Sequence, residues 1–228
     1  MSASPDILDS AAPQESRKTL CPAPFAPSPF LYRAPLRVGL LGGSFNPAHD
    51  GHIHLSLQAL MRLRLDYVWW LVTPLNPHKR SEDMADYQER LHYAQTCCAP
   101  HRRIHVTALE AHFRSPYSCD TISQLKRHYP HLSLVWLMGA DNLACLHRWH
   151  RWQSLVRQIP IAVFTREPYM YAALHSPAAH ALQLCYSPAP HAIACTSHTP
   201  RLYVVPIRSH PGSATAIRRG ARQNAHPV

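Results

Sequence analysis

Six short, almost wholly apolar runs recur along the chain from Leu36 onward: LRVGLLGG (36–43), DYVWWLVTP (66–74), RIHVTAL (103–109), LSLVWLMG (132–139), IPIAVFT (159–165) and RLYVVPI (201–207). Runs this short, rich in β-branched and aromatic residues and lacking polar alternation, predict strands buried on both faces, as in a parallel sheet. Between them the period changes. In HIHLSLQALMRLRL (52–65), Ile53, Leu57, Leu60 and Met61 stand at i, i+4, i+7 and i+8, one face of an amphipathic helix. ADYQERLHYAQTCCA (85–99), DTISQLKRHY (120–129), HRWQSLVRQI (150–159) and SATAIRRGAR (213–222) predict further helices, with Asp120 as an N-cap. Strand, glycine turn, helix, strand is a βαβ unit. Its repetition predicts an α/β, Rossmann-like fold: a doubly wound, mostly parallel sheet with helices on both faces.

Two stretches keep neither period. Residues 1–34 are dominated by proline and small residues and are expected to form a disordered leader. Residues 167–199, heavy in Pro, His and Ala, are expected to be an irregular loop within a single domain spanning 35–228. No internal repeat is visible.

Composition narrows the class. A chain of 228 residues can bury a full core. Its seven scattered cysteines form no CxxC pair and no even disulfide framework, which suits reduced thiols and a cytoplasmic location. No run of about 18 uncharged apolar residues is present, and the start lacks the pattern of a signal peptide, so no membrane partner is expected. The net charge of +10 raises nucleic acid as a partner. The cations are spread along the chain without a block of like charge, so compositional bias is the preferred explanation and no nucleic-acid partner is expected. A small anionic substrate would also suit such a surface.

The densest chemistry lies in GGSFNPAHDGHIHLS (42–56), where His49, His52 and His54 fall within six residues. It occupies the turn and first helical turn after the first strand, where open α/β sheets bind ligands. Gly42 and Gly43 allow a tight turn and close backbone approach. The helix after Asp50 offers unpaired N–H groups and the positive end of its dipole, suited to phosphate. His49 and His52 flank Gly51 and could add ring donors. Ligation of a metal by the histidines, and plain surface histidines in a chain with 18 of them, are the alternatives. No downstream Cys/His pair matches a metal site, so no metal ligand is assigned, and His54 is expected to be structural.

GGSFNPAHDGH resembles the (H/T)xGH signature of the nucleotidyltransferase superfamily, here His49-Asp50-Gly51-His52. More narrowly, it is similar to the GGTFDPIHNGH opening of bacterial nicotinate-nucleotide adenylyltransferases. TPLNPHKR (73–80), MGADNLACLHRW (138–149) and SATAIR (213–218) are similar to further motifs of that family in the same order, and the resemblance covers about 36–219. Ser44, Asn46 and Ala214 depart from the common Thr, Asp and Ser.

The resemblance implies an ATP-dependent adenylyltransferase. ATP and nicotinate mononucleotide would give nicotinate adenine dinucleotide and pyrophosphate, with Mg²⁺ arriving with ATP. His49 and His52 would bind the triphosphate, His52 foremost at the α-phosphate, with Ser44 and Phe45 contributing backbone amides beside Gly42 and Gly43. Arg218, with Ser213 and Thr215, would grip the outer phosphates, making Arg218 the third catalytic group. Asp141 would accept a hydrogen bond from a ribose hydroxyl, its other reading being a helix N-cap. Lys79, Thr121 and Trp149 would serve the nicotinate nucleotide, Trp149 by stacking on the pyridine ring. Rival readings are a related enzyme acting on nicotinamide mononucleotide or phosphopantetheine, and a basic nucleic-acid-binding protein on a retired fold. The sequence leaves the oligomeric state open.

Overall fold

The computed structural model describes residues 35–74, 84–165, 169–182 and 202–208. Its centre is a six-stranded sheet built from β1 (Leu36–Gly43), β2 (Tyr67–Val72), β3 (Ile104–Thr107), β4 (Leu132–Gly139), β5 (Ile161–Phe164) and β6 (Leu202–Val205), in the order β3-β2-β1-β4-β5-β6. All five pairings are parallel, so the expected mostly parallel sheet is parallel throughout. Chain direction across the sheet reverses between β1 and β4, which makes the gap beyond their carboxyl ends the topological switch point.

Neighbouring residues along each strand face opposite layers. Leu40, Trp69, Leu71, Trp136 and Met138 belong to one core cluster, Leu41, Trp70, Val72 and Leu137 to the other. Helices α1 (Asp50–Arg62) and α2 (Tyr87–Cys98) close the second cluster. The first is covered by α3 (Leu109–Phe113), α4 (Ser118–His128), α5 (Ala140–Cys145), α6 (Trp152–Gln158), α7 (Met170–Leu174) and α8 (Pro177–Leu182). Helices thus lie on both faces, as the alternation predicts.

Three local expectations are corrected. The apolar stripe of α1 is rotated: Ser56, Ala59 and Leu60 are buried, whereas Leu57 is 40% and Met61 64% exposed. A small serine and alanine fit the close approach of the helix to β2, where Trp70 Nε1 donates to Ser56 Oγ at 2.8 Å. Asp120 is not an N-cap, because α4 starts two residues earlier; its carboxylate instead accepts from Ser115 Oγ at 2.9 Å. Within the stretch expected to be an irregular loop, residues 170–174 and 177–182 are helical, and Ala173, Ala178 and Leu182 bury against the core. Small alanines there let two short helices pack closely without a long periodic signal.

No helix among the described residues is long and apolar enough to cross a membrane.

Candidate active site

The turn after β1 is set by packing before any ligand is considered. A Cβ on Gly42 would lie 2.6 Å from the Trp136 ring of the adjacent strand, so glycine lets the indole sit directly against β1. Phe45 adopts φ 44°, the left-handed region that a phenylalanine rarely enters. Its buried ring holds that conformation by stacking on Trp70 at 4.6 Å between centroids and meeting His52 at 4.9 Å. The side chain of Phe45 therefore anchors the loop, leaving only its backbone for ligand contact.

His49 is the N-cap of α1, and the two histidines cap the helix between them. The Gly51 N–H donates to His49 Nδ1 at 3.1 Å, and the His49 N–H donates to His52 Nδ1 at 3.2 Å. A backbone N–H can only donate, so each Nδ1 must be an unprotonated acceptor. Each neutral ring then carries its proton on Nε2, on the edge away from the cap. The rings lie 3.8 Å apart. Ser56 Oγ donates to the His52 carbonyl at 2.8 Å, continuing the hydrogen bond from Trp70 and fixing the first turn to β2. The result is a pair of oriented N–H donors at the positive end of a 13-residue helix. His54, expected to be structural, has its Nε2 3.0 Å from the Arg208 carbonyl.

Across the switch point, β4 passes into α5 with no intervening loop. The N-cap is Gly139, not Asp141, which lies in the first turn. The Asp141 carboxylate folds back against Gly139, where a Cβ would meet Oδ1 at 2.4 Å. Trp149 follows the 3₁₀ turn Leu146–Arg148 and meets Trp136 edge to face, with centroids 6.3 Å apart and planes at 85°. It is half-buried and packs against the first core cluster.

Thr121, expected beside the nicotinate nucleotide, is fully buried, with Oγ1 3.3 Å from the Tyr117 carbonyl. Its hydroxyl shares a hydrogen bond with Glu110, as does Thr73 at the end of β2. Burial pushes the Glu110 carboxyl up to about 7, against the opposing effect of those two hydroxyls. Lys79, Ser213, Thr215 and Arg218 lie outside the described residues.

Sequence reasoning missed two buried charges beside the loop, Glu110 and Arg90. Arg90 was legible: it shares the stripe of α2 that buries Ala94 and Cys98, four and eight residues on. A charge on the inward stripe of a helix needs buried partners. Burial lowers its pKa, yet a guanidinium stays protonated at any pH the fold tolerates.

A strand–turn–helix that presents imidazole and amide donors at a switch point defines a nucleotide-binding α/β protein. The comparisons agree. The family model described as cytidylyltransferase-like matches residues 40–220, and the chain belongs to that family. It is 52% identical over 147 residues to a probable nicotinate-nucleotide adenylyltransferase of Erythrobacter litoralis (strain HTCC2594), covering 64% of this chain and 66% of the relative. A protein of the same description from Bradyrhizobium sp. (strain ORS 278) is 50% identical, over 64% of this chain and 76% of its own length. The fold is that of Plasmodium falciparum nicotinic acid mononucleotide adenylyltransferase complexed with NaAD, with a TM-score of 0.60 at 14% identity, over 81% of this chain and 83% of that one.

Proposed function

We propose that the protein joins ATP and nicotinate mononucleotide to give nicotinate adenine dinucleotide and pyrophosphate, in the cytoplasm, as a step of NAD synthesis. The observation that carries this reading is the pair of imidazoles capping α1, each with Nδ1 occupied by a backbone N–H and its proton on Nε2. The names of the relatives supply the substrate class.

The chemistry asks little of the protein covalently. A phosphate oxygen of the mononucleotide attacks the α-phosphorus of ATP. The new P–O–P bond forms as the bond to the bridging oxygen breaks, and pyrophosphate leaves with that electron pair. Positioning and charge stabilisation are the remaining tasks. His52 and His49 donate through Nε2–H to the α-phosphate and its neighbours, and each such donor contributes about 10²–10³ in rate. The Ser44 and Phe45 amides and the start of α1 add fixed dipoles, while Gly42 and Gly43 let phosphate approach the backbone. Asp141 accepts from a ribose hydroxyl, and Trp149 stacks on the pyridine ring. Lys79 and Arg218, with Ser213 and Thr215, complete the phosphate contacts on the family pattern.

Mg²⁺ fits this reading as the partner of ATP. The donors around α1 are N–H groups that suit phosphate oxygens, and among the described residues no group of three or more His, Cys, Asp or Glu is placed to hold a metal. Arriving with ATP, the ion would supply charge neutralisation on the phosphates.

The test is pyrophosphate release by the purified protein with ATP and Mg²⁺, comparing nicotinate mononucleotide, nicotinamide mononucleotide and phosphopantetheine. Fast release with the acid is expected. Faster release with the amide or with phosphopantetheine would move the substrate, and no release with any of them would reject the reaction.

A further inference from the structure

Arg90 is 3% exposed and directs its guanidinium at backbone carbonyls. Nη1 donates to Ser44 O at 2.6 Å and to Thr73 O at 2.9 Å, Nη2 donates to Pro74 O at 3.1 Å, and Nε donates to Ala85 O at 3.0 Å. The Tyr87 ring covers the group, its centroid 5.5 Å from the guanidinium carbon. Burying a charge among neutral acceptors is costly, and an apolar side chain would fill the same stripe of α2 without that cost. The acceptors show what the charge achieves. They belong to three separate segments: the loop after β1, the end of β2 and the entry to α2. Two further bonds join the same segments, Thr73 N–H to Gly43 O at 3.0 Å and Ala85 N–H to Asn46 Oδ1 at 3.3 Å.

The decisive contact is the one to Ser44. The only cis bond in the chain's described residues is Asn46–Pro47, so the Ser44–Phe45 peptide is trans, and its C=O and N–H point in opposite directions. Drawing the Ser44 oxygen inward to Arg90 therefore turns the Phe45 N–H outward, away from the buried guanidinium. The left-handed φ of Phe45 makes this plane a conformation that must be held, and Arg90 holds it from one side while the stacked Phe45 ring holds it from the other.

We infer that Arg90 is a positioning residue of the nucleotide site: its guanidinium fixes the Ser44–Phe45 peptide plane and so aims the Phe45 amide at the triphosphate. This rests on the reading of that loop as the phosphate cradle.

Arg90→Lys keeps the charge but offers a single ammonium in place of a fork spread over four carbonyls. Steady-state pyrophosphate release is measured for each substrate separately, together with calorimetric binding of Mg-ATP and the thermal midpoint. For Arg90→Lys, kcat is expected to fall by about tenfold or more and ATP binding to weaken about tenfold, while KM for nicotinate mononucleotide stays within about twofold. In Arg90→Ala, millimolar methylguanidinium is expected to restore part of the lost rate. A folded Arg90→Lys enzyme with unchanged kcat and ATP affinity overturns the inference. So does an equal loss for both substrates that merely follows a lowered thermal midpoint. If the parent protein binds Mg-ATP but releases no pyrophosphate with any acceptor, the proposed reaction fails alone, and the calorimetric difference between Arg90 and Lys still decides the role of Arg90. If the parent does not bind Mg-ATP, both fail.

Discussion

β1 and β4 are near copies that end in different chemistry. Each has eight residues, is largely buried and closes in glycine, and they pair in register from Leu36 with Leu132 to Leu41 with Leu137. Beyond the final glycines they part. After β1 the chain spends six residues, Ser44 to His49, on a loop pinned by Phe45 and Arg90, then starts a helix capped by two imidazoles. After β4 it enters a helix at once, with Gly139 as a cap that makes no side-chain bond and Asp141 folded against it. The first end presents N–H donors, a chemistry suited to phosphate, and the second a carboxylate, a chemistry suited to hydroxyl groups. Strand pattern decides where a ligand can sit, and the few residues beyond the strand decide which part of it each end receives.

The largest expected break in this asymmetry is His52→Ala. It removes a phosphate donor at the β1 end, and kcat should fall about 10³-fold, roughly 4 kcal/mol of transition-state stabilisation. The thermal midpoint should drop only by the loss of a cap and a ring contact. A variant that keeps near-parent turnover would remove His52 from the mechanism.

A glycine near the end of each strand sharpens the contrast, Gly42 in β1 and Gly139 in β4. Gly42→Ala forces a methyl against the Trp136 ring, and such overpacking costs about 1–3 kcal/mol, visible as a lowered denaturant midpoint. Gly139→Ala instead displaces the Asp141 carboxylate, so nucleotide binding should weaken by about tenfold with less change in stability. Parallel denaturation and ATP-binding measurements check both. A stable Gly42→Ala protein or an unaltered ligand affinity in Gly139→Ala would show that the glycines are interchangeable.

The smallest expected effect concerns Glu110. Its carboxyl is raised to about 7 from a reference of 4.5, so the folded state holds a proton over that interval which the unfolded chain has released. Stability therefore falls as pH rises from about 4.5 to about 7 and is flat above. Glu110→Gln should flatten that slope and leave the protein relatively more stable at pH 8. Thermal midpoints at pH 5 and pH 8 test it, and identical slopes in parent and variant would refute the assignment.

The sheet was legible because strands buried on both faces leave continuous apolar runs, and all six appear at the expected places. Short helices were not. α3, α5, α7 and α8 have five or six residues each, too few to display a period, and they form because the core already offers a surface to cover. In α1 the apolar spacing was half right: Leu60 is buried and Ile53 packs on the second cluster, but Leu57 and Met61 are exposed, and Ser56 and Ala59 complete the inward stripe beside Trp70. The place of His49 and His52 at the start of α1 was legible from the glycine turn that precedes them. That they also cap α1, which fixes their tautomers, needed coordinates. Thr121 fits the local pattern of the family resemblance, but its hydrogen bond with Glu110 joins two separate helices, which no local pattern in the sequence reveals.

The pairing of β1 with β4 has a consequence for synthesis. Their partners lie roughly a hundred residues apart in the chain. At the usual pace of about 5–20 residues per second, β1 leaves the ribosome roughly 5–20 s before the second half of the site exists. During that interval one edge of β1 and the apolar faces around Leu40 and Trp69 have no cover, a surface that chaperones recognise. Nucleotide cannot rescue such a chain early, because it would meet only the phosphate end. Ligand-assisted folding is thus open only to chains already extended past Gly139, and a translational pause between Arg62 and Leu132 would leave a product that no amount of substrate protects.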